Sequence, residues 1–347
     1  MAATRESDFD AASEVLSKAT AEGQVDAASL YVRHAGQEFA RSFGAAKSAD
    51  EAFLIASISK PMSVAAVMTL YDQGKFRLDD PVKKYIPEFS GDGKSKITVE
   101  QLLTHVSGLP DQLPENESLR RRHAGLPEFV AGAIRTPLLF APGSRYSYSS
   151  MAILLASEMA QRITGTPFPK LVHETVFGPL EMKRSALGLG DFELAETMQC
   201  QVENAAPESG AGDPESKDWD WNSPYWRNLG APWGGAHASA SDVGRFFADF
   251  LQTTGKLLRP QTARLMIQNQ NRQGLTPRGL GFAIGAKGAS PGCSPATFSH
   301  GGATGTLAWA DPATDTICVV LTTLPAQAVD PHPRQICSDQ VAMAVAK

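Results

Sequence analysis

Strand-like segments stand at the two ends of this chain and scarcely between them, and that placement rules out most folds. Near the start, Ala28–Arg33 and Glu38–Gly44 flank His34-Ala35-Gly36, the pattern of a hairpin around a Gly-containing turn. After about residue 278, the segments Leu280–Ala286, Thr297–His300, Thr306–Ala310 and Thr316–Thr323 alternate or run apolar between Gly and Asp-Pro turns. Residues 75–235 read instead as helices with long loops, broken by Pro, Gly and charge clusters. Such an order predicts an α/β (α+β) fold: one antiparallel sheet built from both termini and flanked by helices, with a mostly helical insertion. At 347 residues two units are the ordinary division, so a sheet domain is expected from 1–74 and 236–347 and a helical domain from 75–235.

Helix signals fill in the frame. Residues 8–22 place Phe9, Ala12, Val15 and Leu16 near helical spacing. A second helix carries Ser57 and Lys60 and runs to Gln73, with Pro61 in its first turn and Gly74 as its stop. Ser150–Ile163 is amphipathic and ends at Thr164-Gly165; Ser241–Leu251 has Ser241 as a candidate N-cap; residues 335–346 read as a closing helix. The Glu-, Ala-, Pro-, Ser- and Gly-rich stretch 203–217 reads as a loop.

The balance of residues excludes several functions. A net charge of −5 argues against nucleic acid as a partner, and Arg120-Arg121-Arg122 reads as a solvated surface turn. No run approaches the ~18 apolar residues that span a bilayer. Acids stand in Met1–Asp10 where a signal peptide has its apolar segment, so a soluble chain is expected, either intracellular or exported with its signal already removed. Cys200, Cys293, Cys318 and Cys337 lie far apart, giving no disulfide framework or zinc spacing; Cys318 reads as a small buried hydrophobe. His237 and His332 have no carboxylate or Cys at ligand spacing, so neither a metal nor a cofactor is expected.

Chemistry enters at Ser57-Ile58-Ser59-Lys60. Residues at i and i+3 share one helix face, and a neutral Lys amine there can take a Ser proton. Among the lysines only Lys60 has Ser three positions before it. Acyl transfer also needs a proton relay to the leaving group and two N–H donors for the oxyanion. Of the six tyrosines only Tyr148 has Asn or Ser two places on, at Ser150; Tyr146 does not. A His-x-Gly element fits at His300-Gly301-Gly302, and also at His34 and His123, but only His300 follows Tyr148 and enters the C-terminal strand region. Glycines there allow a substrate backbone to approach a strand edge. His105, in Leu102–Pro110, reads as a hydrogen-bonded His at a helix end. Four of the five tryptophans, including Trp226 and Trp233, crowd into residues 219–233; they read equally as packing and as an aromatic wall for apolar acyl groups.

Ser57–Pro61, Gly74–Val82, Leu102–Pro110, Pro142–Ser150 and His300–Gly302 together resemble the β-lactamase-fold serine hydrolases related to class C β-lactamases, D-alanyl-D-alanine carboxypeptidases and family VIII carboxylesterases. The resemblance implies a β-lactamase/transpeptidase-like fold. It implies Ser57 as the acylated nucleophile, Lys60 and Tyr148 as the proton-transfer pair, and the backbone N–H groups of Ser57 and Ala303 as oxyanion hole. Ser150, His300, Gly301, Gly302, Trp226 and Trp233 would meet a small-molecule ester, amide or lactam. Ser150 stands where many relatives have Asn, and His300 where β-lactamases often have Lys. An ordinary His is mostly neutral at pH 7, so a carboxylate-bearing lactam lacks a permanent cation and esters are favoured. A D-amino-acid peptidase or weak β-lactamase is the same-class alternative. A non-catalytic relative binding a ligand or partner through the old cleft is the other.

Overall fold

The computed structural model describes residues 6–346; part of the acidic N-terminal stretch read above as unlike an export signal lies outside them. Helix α1 (Asp10–Ala21) leads into the hairpin β1 (Ala27–His34) and β2 (Gln37–Gly44). Strand β3 (Phe53–Leu54) precedes α2 (Ser59–Asp72). Residues Ser59 to Leu70 are all buried, which is why α2 carries no polar stripe. Gly74 follows its last turn with φ of 70°, the left-handed exit open to glycine. The middle of the chain supplies α3 (Val99–Leu103), α4 (Asn116–Arg121), α5 (Leu126–Arg135), α6 (Ser150–Thr164) and α7 (Phe168–Val172). A strand expected from no sequence signal, β4 (Ser185–Leu187), interrupts this helical region before α8 (Pro224–Leu229). Then come β5 (Ala236–Ala238), α9 (Ala240–Gln252), α10 (Pro260–Met266), β6 (Ala283–Ile284), β7 (Phe298–Gly302), β8 (Thr306–Asp311), β9 (Thr316–Thr322) and α11 (Pro333–Val345).

The main sheet has the order β2-β1-β9-β8-β7-β6 and is antiparallel throughout. The two ends of the chain therefore meet inside the sheet, between its second and third strands, with Tyr31 opposite Val319. Side chains alternate across a strand. Ala28, Leu30 and Val32 join Cys318 and Val320 against α1 and α11, whereas Tyr31, Ile317 and Val319 face the core shared with α2, α6 and α9. That second core is continuous from the sheet into the helical region. A three-stranded sheet, β3-β5-β4, links residues 53–54, 236–238 and 185–187.

Three local expectations need correction. The cap of α9 is Ser239, whose hydroxyl accepts the Asp242 N–H at 3.1 Å; Ser241 lies inside the helix. The strand expected over 280–286 shortens to Ala283–Ile284, because only those residues reach a ladder partner on β7. Of the triple arginine, Arg121 and Arg122 are exposed as expected, but Arg120 lies on α4 and is 1% exposed. No helix among the described residues is long and apolar enough to cross a membrane.

Candidate active site

Ser57 sits in a single 3-10 turn, Ala56–Ile58, between β3 and α2. Ala56 adopts φ of 45°, a left-handed conformation that costs a non-glycine residue about 1–3 kcal/mol and persists only where the surroundings enforce it. They do. Thr304 Oγ1 donates to Leu54 O at 2.7 Å and Thr306 Oγ1 to Ile55 O at 3.0 Å, tying the turn to β8 and to the connection before it. Ser59 Oγ donates to Ala56 O at 2.5 Å and accepts the Ala236 N–H at 3.0 Å, while Ser63 Oγ donates to Pro232 O at 2.7 Å. Gly302 completes the clamp: a Cβ there would lie 2.5 Å from Ile55 O and 2.1 Å from Thr306 Oγ1. The approach of this chain's own backbone is by itself enough to require glycine there.

The Lys60 ammonium nitrogen lies 2.9 Å from Ser57 Oγ and 2.7 Å from the Trp233 carbonyl oxygen, to which it donates. It also stands 4.7 Å from the centre of the Tyr148 ring. Lys60 is 1% exposed, and burial pushes its pKa down to about 7; Asp111 opposes the shift and Arg278 adds to it. Burial acts on Tyr148 in the opposite sense, raising its pKa well above the usual phenol range, with Arg278 and Ser57 opposing. The Tyr148 hydroxyl is buried without a well-formed hydrogen bond, although Ser57 lies near enough to ease its ionisation. His105 packs behind it, ring centroids 4.7 Å apart. His105 Nδ1 accepts the Ser149 N–H at 3.1 Å, and burial holds the imidazole neutral, so it orients the Tyr148 segment.

Two backbone amides flank the same space. The Gly302 carbonyl accepts from Arg334 Nη1 at 2.6 Å and from Gly305 N at 3.1 Å. In a trans peptide the N–H points opposite to the carbonyl, so these bonds turn the Ala303 N–H away from Arg334. Ala303 and Ser57 line one cleft.

A model of the beta-lactamase family, described as Beta-lactamase, matches residues 12–336. The chain belongs to the beta-lactamase family. Protein Rv1367c of Mycobacterium tuberculosis is 27% identical over 318 residues, spanning 78% of this chain and 77% of that protein. Esterase EstB of Burkholderia gladioli is 34% identical over 158 residues, 41% of this chain and 40% of EstB. Among solved structures, EstCE1, described as a hydrolase with promiscuous acyltransferase activity, aligns with a TM-score of 0.80 at 22% identity over 99% of each chain. That likeness is one of fold: the β-lactamase/transpeptidase-like arrangement of antiparallel sheet and helices.

The cleft of this beta-lactamase family chain encloses about 520 Å3, its open mouth included. Ser57, Tyr148, Ser150, Ala303, Trp226 and Trp233 line it. Ser150 is held there by its own N–H, which donates to Asp111 Oδ1 at 2.8 Å. Both tryptophans are also part of the core, at 2% and 3% exposed. His300, Gly301 and Gly302 lie in sequence on β7, His300 and Gly302 buried and Gly301 half-buried. His300 is 4% exposed; its Nδ1 lies 2.8 Å from Gly301 O and its Nε2 2.9 Å from Arg278 Nη2. A neutral ring protonated at Nδ1 satisfies both contacts, and burial beside Arg278 and Lys60 keeps it neutral. His34 and His123 are elsewhere, the first bonded to Thr316 in the hairpin and the second stacked on Tyr225.

Four charged groups escaped the sequence reading. Arg278 stands beside the Tyr148 ring at 5.5 Å, and Asp111, Glu208 and Arg120 line the cleft. The expectation of a cleft poor in fixed positive charge is therefore wrong. No spacing rule reaches these residues, since each arrives by tertiary packing; only the proline-flanked Asp111, just past Leu102–Pro110, stood near a recognised stretch.

Proposed function

We propose that this chain is a serine hydrolase that works through an acyl-enzyme on Ser57, with short-chain carboxylic esters as its substrates. The observation that carries the reading is the 2.9 Å contact between Ser57 Oγ and an amine whose burial favours the uncharged form. In that form Lys60 keeps one N–H for the Trp233 carbonyl and turns its lone pair to the Ser57 hydroxyl. Burial separates the two titrating groups by role: the amine is brought to where its uncharged, proton-accepting form is populated near neutral pH, while the phenol keeps its proton and can donate. Lys60 thus takes the Ser57 proton as Oγ attacks the ester carbonyl. The N–H groups of Ser57 and Ala303 receive the oxyanion. Tyr148 delivers a proton to the departing alkoxide and is restored from Lys60. Water then hydrolyses the acyl-enzyme by the same steps in reverse.

Ester preference now rests on different residues from those the sequence suggested. The carboxylates Asp111 and Glu208 line the cleft itself beside Arg120, while Arg278 stands at the Tyr148 ring and is already engaged by His300. A free carboxylate, as on a penicillin, meets like charge there, whereas a neutral ester does not. Relatives named as esterases point the same way. Intact mass spectrometry after exposure to a p-nitrophenyl ester, a penicillin and a serine-directed phosphonate tests this. The ester should turn over and the phosphonate should label once. A penicillin or D-alanyl peptide turned over much faster than every ester would overturn the substrate but leave the acyl-serine chemistry standing.

A further inference from the structure

One wall of the cleft holds a cation that the proposed chemistry does not use. Arg120 is 1% exposed, and its guanidinium stacks 3.9 Å above the Trp226 ring. Nε donates to Asn116 Oδ1 at 3.3 Å, but Nη1 is buried without a partner, and Arg120 forms no ion pair among the described residues. Glu208, on the same cleft, acts on it only at a distance. A buried charge is ordinarily paired and hydrogen-bonded, because desolvation is costly. Trp226 Nε1, on the same wall, is a second buried donor without a partner, and Gln112 Oε1 is an acceptor in the same state. Three unused polar groups on one cleft are more than packing requires.

We propose that Arg120, with Trp226, forms a donor subsite for an uncharged oxygen acceptor carried by the substrate's acyl group beyond the scissile carbonyl: a ketone, ester or amide oxygen. Trp226 covers the guanidinium's face, and Nη1 has no hydrogen-bond partner within the fold to compete for it. The acceptor is uncharged because Asp111 and Glu208 already give this cleft two carboxylates. Sites built to hydrogen-bond a substrate group reject the analogue lacking it, since their buried donors are then left bare. This inference rests on Ser57 being the acylated residue.

The test compares kcat/KM of the full chain on three matched p-nitrophenyl esters: hexanoate, 5-oxohexanoate and the glutarate monoester. The oxo ester should exceed hexanoate by about 10- to 100-fold. Arg120→Met should bring that ratio to about one, and Arg120→Lys, which loses the planar fork, should retain only part of it. Trp226→Phe keeps the ring and loses the N–H, so it should lower the ratio several-fold even if Arg120→Met fails to fold. A wild-type ratio near one, or a ratio that survives both Arg120→Met and Trp226→Phe, overturns the subsite. A glutarate ester preferred over the oxo ester overturns the uncharged acceptor. If none of the three acylates Ser57 while the phosphonate also fails to label it, the underlying reading falls and this one with it; labelled Ser57 with no oxo preference sinks the subsite alone.

Discussion

Arg227 and Arg120 are two buried guanidinium groups that the fold treats in opposite ways. Arg227, at the base of the small sheet, is 0% exposed and donates to Thr197 Oγ1 at 3.0 Å, Met198 O at 3.0 Å and Asn222 Oδ1 at 2.9 Å, besides the Trp221 carbonyl. It also meets His237 Nε2 at 3.2 Å. Arg120 is equally enclosed yet has one side-chain hydrogen bond and an aromatic face. The first pattern ties loops together. The second, shared with the Tyr148 hydroxyl, which also lacks a well-formed bond, is the pattern the proposed subsite requires. The expected contrast is that cleft groups can be removed at little cost in stability and great cost in turnover, while saturated groups show the reverse.

Ser57→Ala is the largest case on the cleft side. It should abolish covalent labelling and lower kcat/KM by at least about four orders of magnitude, with an unchanged denaturation midpoint. Stoichiometric labelling of this variant would break the comparison at its first member. On the other side, Arg227→Met strips its donors from four oxygens and should cost about 3–5 kcal/mol by denaturant titration, with Ser57 still labelled by the phosphonate. A stable, inactive Arg227→Met would mean that the saturated network serves the chemistry after all.

Tyr148→Phe should lower kcat about 100-fold or more and leave stability unchanged or slightly higher, because its buried hydroxyl makes no well-formed hydrogen bond that the change would break. Tyr146→Phe should keep much of its activity. The smallest expected effect on substrate choice comes from His300→Lys. Placed 2.9 Å from Arg278, a lysine adds like charge to a buried pair, so it should destabilise the fold rather than draw carboxylate-bearing lactams into the cleft. A clear gain in penicillin turnover would show that His300 reaches the substrate despite its place behind Tyr148.

What could be read from the chain beforehand was what lies close in sequence. The Ser57–Lys60 spacing, the Gly74 stop, the Tyr148–Ser150 pair at the start of α6 and the two-residue hairpin turn at Ala35-Gly36 are all local patterns. The meeting of β1 with β9 was legible too, because period-two segments at both ends have one economical way to share a sheet. Arg278 and Arg120 were not legible: each lies more than fifty residues from Ser57 with no motif around it, and the triple arginine looked solvated because burial of its first member depends on Trp226 from α8. Strand β4 was missed because three residues pairing with β5 carry no periodicity to detect.

Lys60 ties the two halves of the contrast together, since its burial is costly to the charged form and necessary to the base. Its ordinary value of 10.5 falls to about 7 in the fold. The unfolded chain therefore binds more protons between those limits, and stability should rise with pH across that window in wild type but not in Lys60→Met. The most direct measurement is the rate at which an uncharged serine-directed phosphonate labels Ser57 as a function of pH, with the site mapped by peptide mass spectrometry. A rate that rises with pH through a midpoint near 7, and is lost in Lys60→Arg, is the expected result. A flat profile, a midpoint near that of free lysine, or a label on any other serine would contradict an uncharged Lys60 acting on Ser57.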